Sequence, residues 1–296
     1  MSDFSIEAAG KQEVLDFESN APTKSESSSI STKLTRRCDS FAGDRRPKRV
    51  HAVVAKDVVG SSNTVVEAIY RVIELLVCTI GLILSLPLLL LIGALIRLDS
   101  PGPALFLQVR PGRSIRAKGR DLEGRADLEP PPGGYQPDSL YYVPSYFRLA
   151  KFRTMFIDAK TRFPELYRFD FDVEEFHNHF PKSPSDPRVT RVGRILRKLS
   201  LDELPNLWNV ILGQMRLVGP RPEHPDVLQF YRPEEMYKFS CKPGVTGLAQ
   251  AKGRSSLNWG QALALDLEYV HNRSVLFDLG IILLSIKAVL LQQGAF

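Results

Sequence analysis

The chain has 296 residues, a formal charge of +6 with a pI near 9.2, and three cysteines, Cys38, Cys78 and Cys241. That length can bury a real core in one or two domains, and the positive balance points to polyanionic partners: nucleic acid, anionic lipid or phosphorylated substrates. Three widely spaced cysteines exclude a disulfide framework and a zinc-ligand spacing, so a reducing, cytosol-facing location is expected.

Residues 1–64 read as a disordered, polar and basic tail. They hold the run Ser25-Glu26-Ser27-Ser28-Ser29 and the cluster Arg45-Arg46-Pro47-Lys48-Arg49, with little apolar periodicity. No apolar stretch opens the chain, so no secretory signal peptide is expected. Because an apolar segment follows, the basic cluster fits lipid headgroups better than nucleic acid.

From Leu75 to Ile96 no side chain is charged, and about 20 apolar residues suffice to cross a bilayer core. A spanning helix is one reading of residues 65–99. Two observations favour a re-entrant one. Pro87 interrupts the run close to Ser85; proline removes a helical hydrogen bond, and serine can help re-satisfy the freed backbone. Basic residues also flank both sides, Arg45, Arg46, Lys48 and Arg49 before and Arg97, Arg110, Arg113, Arg116 and Lys118 after, so the positive-inside rule places both flanks in the cytoplasm. A helix kinked at Ser85 and Pro87, entering and leaving through one leaflet, satisfies both.

Beyond it, Asp99 to Arg113 reads as a Pro/Gly turn into a short apolar strand that ends in Gln108, Arg110 and Arg113. The run Lys151-Phe152-Arg153-Thr154-Met155 follows. Arg188, Arg191, Arg194 and Arg197 then recur every three residues, opposite Val189, Val192, Ile195, Leu196 and Leu199. That spacing predicts an amphipathic helix with one cationic side. Ser200 reads as the N-cap of a further helix, with Glu203 closing a capping box. Asp202 and Glu203 would sit at the positive end of its dipole, where a carboxylate stays ionised. Such starts are also ordinary structural features. The segment Leu204, Leu207, Trp208, Ile211 and Leu212 reads as core packing behind it.

Gly213 to Pro222 is a turn-rich run that would hold Arg221 rigidly, and Pro243 to Gln250 with Gly253-Arg254 forms a second rigid polar loop. Asp266, Glu268 and Tyr269 fall on a helix after it. Residues 276–291, apolar but for Asp278 and Lys287, read as an amphipathic helix in the membrane interface. His177-Asn178-His179 reads as surface histidines, not a metal site, and His224 as a substrate contact or a loop residue.

The order of these motifs resembles the bacterial sugar transferases, the monotopic phosphoglycosyl transferases of polyprenyl-linked exopolysaccharide and O-antigen assembly, over about residues 65–296. The resemblance implies a membrane-associated α/β enzyme, mainly helical with short strands, with a Pro-kinked re-entrant anchor at 65–99 and a cytosolic domain at 100–296 on the inner face of the bacterial cytoplasmic membrane. It implies transfer of a sugar-1-phosphate from a UDP-sugar to polyprenyl phosphate, with Mg²⁺ and release of UMP. Asp202 would be the nucleophile and form a covalent phosphosugar, with Glu203 its partner, binding the metal or positioning the attacking group. Asp266 is a second metal candidate. Arg221 would grip phosphate or nucleotide, with Arg153, Arg194, Arg254 and Lys151 as further phosphate contacts. The bilayer is a partner, nucleic acid is not, and a homodimer is admitted.

Three departures from the family pattern stand out: Ser85-Leu86-Pro87 in place of an adjacent Ser-Pro pair, Gln214 where an acid is usual, and a long stretch at 114–150. The last, with Glu129-Pro130-Pro131-Pro132-Gly133-Gly134, reads as an inserted loop. They leave a non-catalytic membrane scaffold of the same fold as the alternative function.

Overall fold

A computed structural model describes residues 50–54, 64–167, 171–179, 186–253 and 256–290. In chain order these form β1 (Val50–His51), β2 (Val53–Val54), α1 (Thr64–Asp99), β3 (Leu105–Pro111), β4 (Ile115–Lys118), β5 (Leu128–Glu129), β6 (Leu140–Val143) and β7 (Tyr146–Phe152). Then come α2 (Ala159–Arg162), α3 (Val173–Asn178), α4 (Arg191–Lys198), α5 (Asn206–Ile211), β8 (Arg216–Val218), β9 (Gly244–Thr246), α6 (Leu248–Lys252), α7 (Trp259–Asn272) and α8 (Val275–Leu290). The class is helix-rich with short strands, as expected.

Helix α1 has 36 residues, about 54 Å at 1.5 Å per residue, against a hydrocarbon core of about 30 Å. It is continuous through Pro87, where the sequence suggests a kink. The Ser85 hydroxyl donates to the Leu82 carbonyl at 3.1 Å, not to the Ile83 carbonyl that Pro87 leaves without its helical donor. Tyr70, Glu74, Cys78, Ile92 and Ile96 are buried along one stripe of this helix, spaced by three or four residues or multiples of them, which puts them on one face. Cys78 packs with Leu149, Val210 and Met215. Ile92 and Ile96 pack with Phe152 and Leu196. Both ends of α1 therefore rest on the folded body, while Ile69, Leu76, Ile80, Leu84, Leu91 and Leu98 on its other side are more than half exposed.

Polar ties fix the same face. Buried Glu74 accepts from Arg71 (2.6 Å), Arg216 (3.2 Å) and the Leu217 amide (2.5 Å). At the far end the Asp99 carboxylate accepts the Val192 amide at 3.0 Å. Arg153 corrects an expectation here. Its guanidinium donates to the carbonyls of Pro101 (2.5 Å), Ser100 (2.7 Å) and Ile96 (3.4 Å). Two of these carbonyls belong to the turn that leaves α1 and the third to its last turn, so Arg153 clamps the exit of α1 and is committed there.

The stretch 114–150 is a folded annex, not a loop. β4 and β6 pair antiparallel, β2 adds to β6, and β1 pairs in parallel with β5. Ala52, Leu122, Leu128, Tyr141 and Val143 share a small core there. Residues 50–54, read as part of a disordered tail, supply two of its strands, and Thr64 opens α1; the rest of that tail, 1–49 and 55–63, lies outside the described residues. The strand β3 predicted before Arg110 pairs antiparallel with β7 over their full length, with Phe106 opposite Lys151.

The expectation for 276–291 holds as the helix α8, but its amphipathicity is turned around. Asp278 is buried and accepts from the Tyr269 hydroxyl at 2.8 Å. Leu276, Leu279, Leu283 and Ile286 face outward, Leu276 81% exposed. Trp208 and Leu212, read as core, are half exposed; only Leu207 and Ile211 pack inward.

Candidate active site

The site begins where α4 meets β7. Thr190 is the N-cap of α4 and accepts the Gly193 amide at 3.0 Å. A Cβ on Gly193 would overlap the Thr154 carbonyl, so only glycine lets the helix approach this closely. Through that approach Arg197 Nε reaches Thr154 Oγ1 at 3.0 Å. The four-arginine comb divides as a result. Arg188 and Arg197 turn to Asp186 (2.8 and 3.9 Å), whereas Arg191 and Arg194 are exposed. Arg194 is thus left exposed, while Arg197, its neighbour one turn on, stands close enough to act on Asp202.

Ser200 does not cap a helix. It adopts φ 56°, the left-handed region, and makes no side-chain cap bond. Leu201–Glu203 form a single 3₁₀ turn, and the next α-helix begins only at Asn206. The capping box and the dipole argument therefore fail, because the chain turns sharply before it can propagate an α-helix.

Asp202 feels Lys151 and Arg197 across the cleft and Arg221 from the 219–222 loop. Even so, its carboxyl is held above the usual range, first by burial and next by the Glu203 charge beside it. Dipole-assisted ionisation is therefore replaced by a carboxyl that depends on neighbouring cations. Burial, then the Arg110 charge, lowers Lys151 to about 8. Arg110 itself is pushed down to about 10 by burial and held by Gln108 Oε1 at 2.7 Å. Arg221 meets Glu203 at 3.4 Å with the arginine side chain 41% exposed. The pair is half-buried and long for a hydrogen bond, which leaves Arg221 able to turn from Glu203 to a ligand phosphate.

Asp266 does not join this group. It is 1% exposed, and Lys238 Nζ donates to its Oδ2 at 2.9 Å and to Glu223 Oε1 at 2.8 Å. Burial opposes the Lys238 charge, but Asp266 and Glu223 outweigh it and hold the ammonium well above its ordinary range. This knot ties the Arg221 loop to α7. Asp266 is thus removed as a metal ligand; Glu203 and Asp202, adjacent and half-buried, fit the one or two carboxylates that Mg²⁺ takes alongside phosphate oxygens and water. Among the described residues no cluster of three ligating side chains occurs. Arg254 lies outside the described residues.

Two residues complete the support. Asn209, buried, accepts the Ala150 amide (2.9 Å) and donates to the Arg148 carbonyl and to Gln214 Oε1 (both 2.7 Å). Gln214, where an acid was expected, is thus an acceptor in the brace behind Lys151. Sequence reasoning missed Arg110, Arg197 and Asn209; for Arg197 the three-residue spacing was a signal, but it did not say which tooth of the comb turns inward. His177, read as a surface residue, is instead largely buried, held by the Val173 carbonyl (2.6 Å) and Glu235 (2.9 Å), and His224 caps the turn at 225–230.

Residues 65–118 and 142–292 match the family described as bacterial sugar transferase. The chain belongs to the bacterial sugar transferase family. The unmatched stretch, 119–141, falls inside the folded annex. The chain is 34% identical over 226 residues to the exopolysaccharide production protein ExoY of Rhizobium meliloti, covering 76% of this chain and 87% of that protein. It is 34% identical over 237 residues to an undecaprenyl-phosphate glucose phosphotransferase of Komagataeibacter xylinus, 76% of this chain and 36% of that protein. Against an undecaprenyl-phosphate galactose phosphotransferase of Salmonella typhimurium the identity is 40% over 151 residues, 51% of this chain and 32% of that one. The chain thus spans most of ExoY and about a third of the two phosphotransferases.

Proposed function

We propose that this sugar transferase moves a sugar-1-phosphate from a UDP-sugar to polyprenyl phosphate through Asp202. The observation that carries it is the half-buried carboxyl of Asp202 set among Lys151, Arg197 and Arg221, with Arg110 behind. An Asp202 oxygen bonds to the β-phosphorus as the phosphoanhydride bond breaks, and UMP leaves. The acceptor's phosphate oxygen then bonds to that phosphorus, the Asp202–phosphorus bond breaks, and the carboxylate is restored. Both transition states gather negative charge on phosphoryl oxygens, which Arg221, Arg197 and Lys151 are placed to meet. Arrival of an ionic substrate that draws Arg221 off Glu203 leaves both carboxylates competing for the same cations. A Mg²⁺ ion held by Glu203 and donor phosphate would supply the missing positive charge.

Membrane association follows from the outward apolar faces of α1 and α8. Contacts of both ends of α1 with the folded body favour both ends lying on one side of the bilayer, although the helix runs unbroken through Pro87 and the kink of the re-entrant reading has no counterpart in it. The test is UMP release from purified membranes given undecaprenyl phosphate, Mg²⁺ and a panel of UDP-sugars. Release with one donor, lost on EDTA treatment and lowered by at least about 10³-fold in Asp202→Asn, is expected. Full activity of Asp202→Asn would refute the nucleophile, and indifference to EDTA the metal.

A further inference from the structure

A cavity of about 260 Å³ lies apart from the Asp202 group, and none of that group lines it. Its walls are the first turns of α1, the Lys242 loop, and the junction between α7 and α8. Five cations line it, Arg71, Arg113, Arg216, Lys242 and Arg273, against two carboxylates, Glu67 and Asp278. The ion pairs are already committed. Arg216 and Arg273 share Glu67 at 3.1 and 3.3 Å, and Arg71 and Arg216 share Glu74 from behind. Among the described residues no carboxylate lies within ion-pair distance of Arg113 or Lys242, so these two are surplus charge. Burial, followed by Arg71, Arg113 and Arg216, holds Lys242 below its ordinary range, with Glu74 opposing them only in part.

The cavity is bordered by the first turns of both outward-apolar helices, and on the membrane docking proposed above its opening would meet lipid headgroups. We propose that it is a second anion site that takes a phosphate group, through Arg113 and Lys242, from the headgroup of an anionic bilayer lipid. The site needs no sugar transfer to be tested, so its failure and that of the Asp202 assignment are separable.

The full chain in detergent is heated with short-chain phosphatidylglycerol, with the zwitterionic phosphatidylcholine analogue, and with inorganic phosphate. Phosphatidylglycerol is expected to raise Tm, with an apparent affinity at least about tenfold weaker in Arg113→Gln/Lys242→Gln. Lys242→Arg should keep the response, and UMP release in detergent should persist in the double variant. A matching response to inorganic phosphate alone would keep the anion site and assign it to free phosphate. No shift with any anion, or a shift equally large in the double variant, would overturn the proposal. If the double variant does not fold, Lys242→Gln alone carries the same comparison.

Discussion

Lys151 and Asp202 set the expected pH dependence. As the proposed nucleophile, Asp202 would have to lose its proton to attack, and its carboxyl is held high by burial and Glu203, so turnover should rise with pH through a limb above the usual carboxylate range. Lys151 is charged below about 8 and loses its charge above it, which gives a falling alkaline limb. In Lys151→Arg the group stays charged, so kcat/KM profiles should keep the acid limb and lose the alkaline one. An unchanged alkaline limb would take Lys151 out of the site. Lys238 lies one layer deeper. Lys238→Met would leave Asp266 and Glu223 buried and facing each other, and breaking a buried ion pair costs about 3–5 kcal/mol. A denaturant midpoint unaffected by that change would mean the knot is not structural.

Among the elements, the approach of α4 to β7 and the seating of α5 on β7 decide where Lys151 and Arg197 stand. Gly193→Ala pushes a methyl into the Thr154 carbonyl and should destabilise by about 1–3 kcal/mol. Asn209→Ala leaves the buried Ala150 amide without its acceptor and should cost a similar amount per orphaned group. Both should reduce kcat more than KM if they displace Lys151 and Arg197. Equal loss of stability with kcat intact would mean that the cleft tolerates the shift. Element types were legible: the long apolar helix, the strand before Arg110, the arginine helix and the last helix all stand where their periodicity put them. Element ends were not. Ser200-x-x-Glu203 carries the letters of a capping box, yet a left-handed Ser200 starts a 3₁₀ turn, because the box states a local preference that the tight passage from α4 to α5 overrides. The annex was illegible for a related reason. Its short strands gain stability from pairing with residues 50–54, contacts such as Val50 to Leu128 and Val53 to Tyr142 that no local window contains.

For the molecule as a whole, α1 and α8 should dock on one side of the bilayer. Cysteines introduced before residue 70 and after residue 100 in intact cells should both resist a membrane-impermeant thiol reagent. Labelling of one set alone would establish a spanning helix. The outward row Leu276, Leu279, Leu283 and Ile286 should add to membrane affinity. Leu276→Asp/Leu283→Asp is expected to shift protein from membrane to soluble fractions on carbonate washing, by about 1–3 kcal/mol for each exposed leucine withdrawn from lipid. An unchanged distribution would leave anchoring to α1 alone.

By itself the sequence determined the apolar anchor, the basic flanks, the Asp202-Glu203 pair and the family to which their order belongs, since composition, periodicity and motif order are properties of the chain read along its length. Only the tertiary structure decided which cations meet Asp202. It gave Arg197 and Arg110 to the cleft, left Arg194 exposed, spent Arg153 on the carbonyls at the exit of α1, and locked Asp266 to Lys238. The reason is that a charged side chain is placed by what it must neutralise or satisfy once buried, and that partner is set by packing between distant segments, not by the residues beside it in the chain.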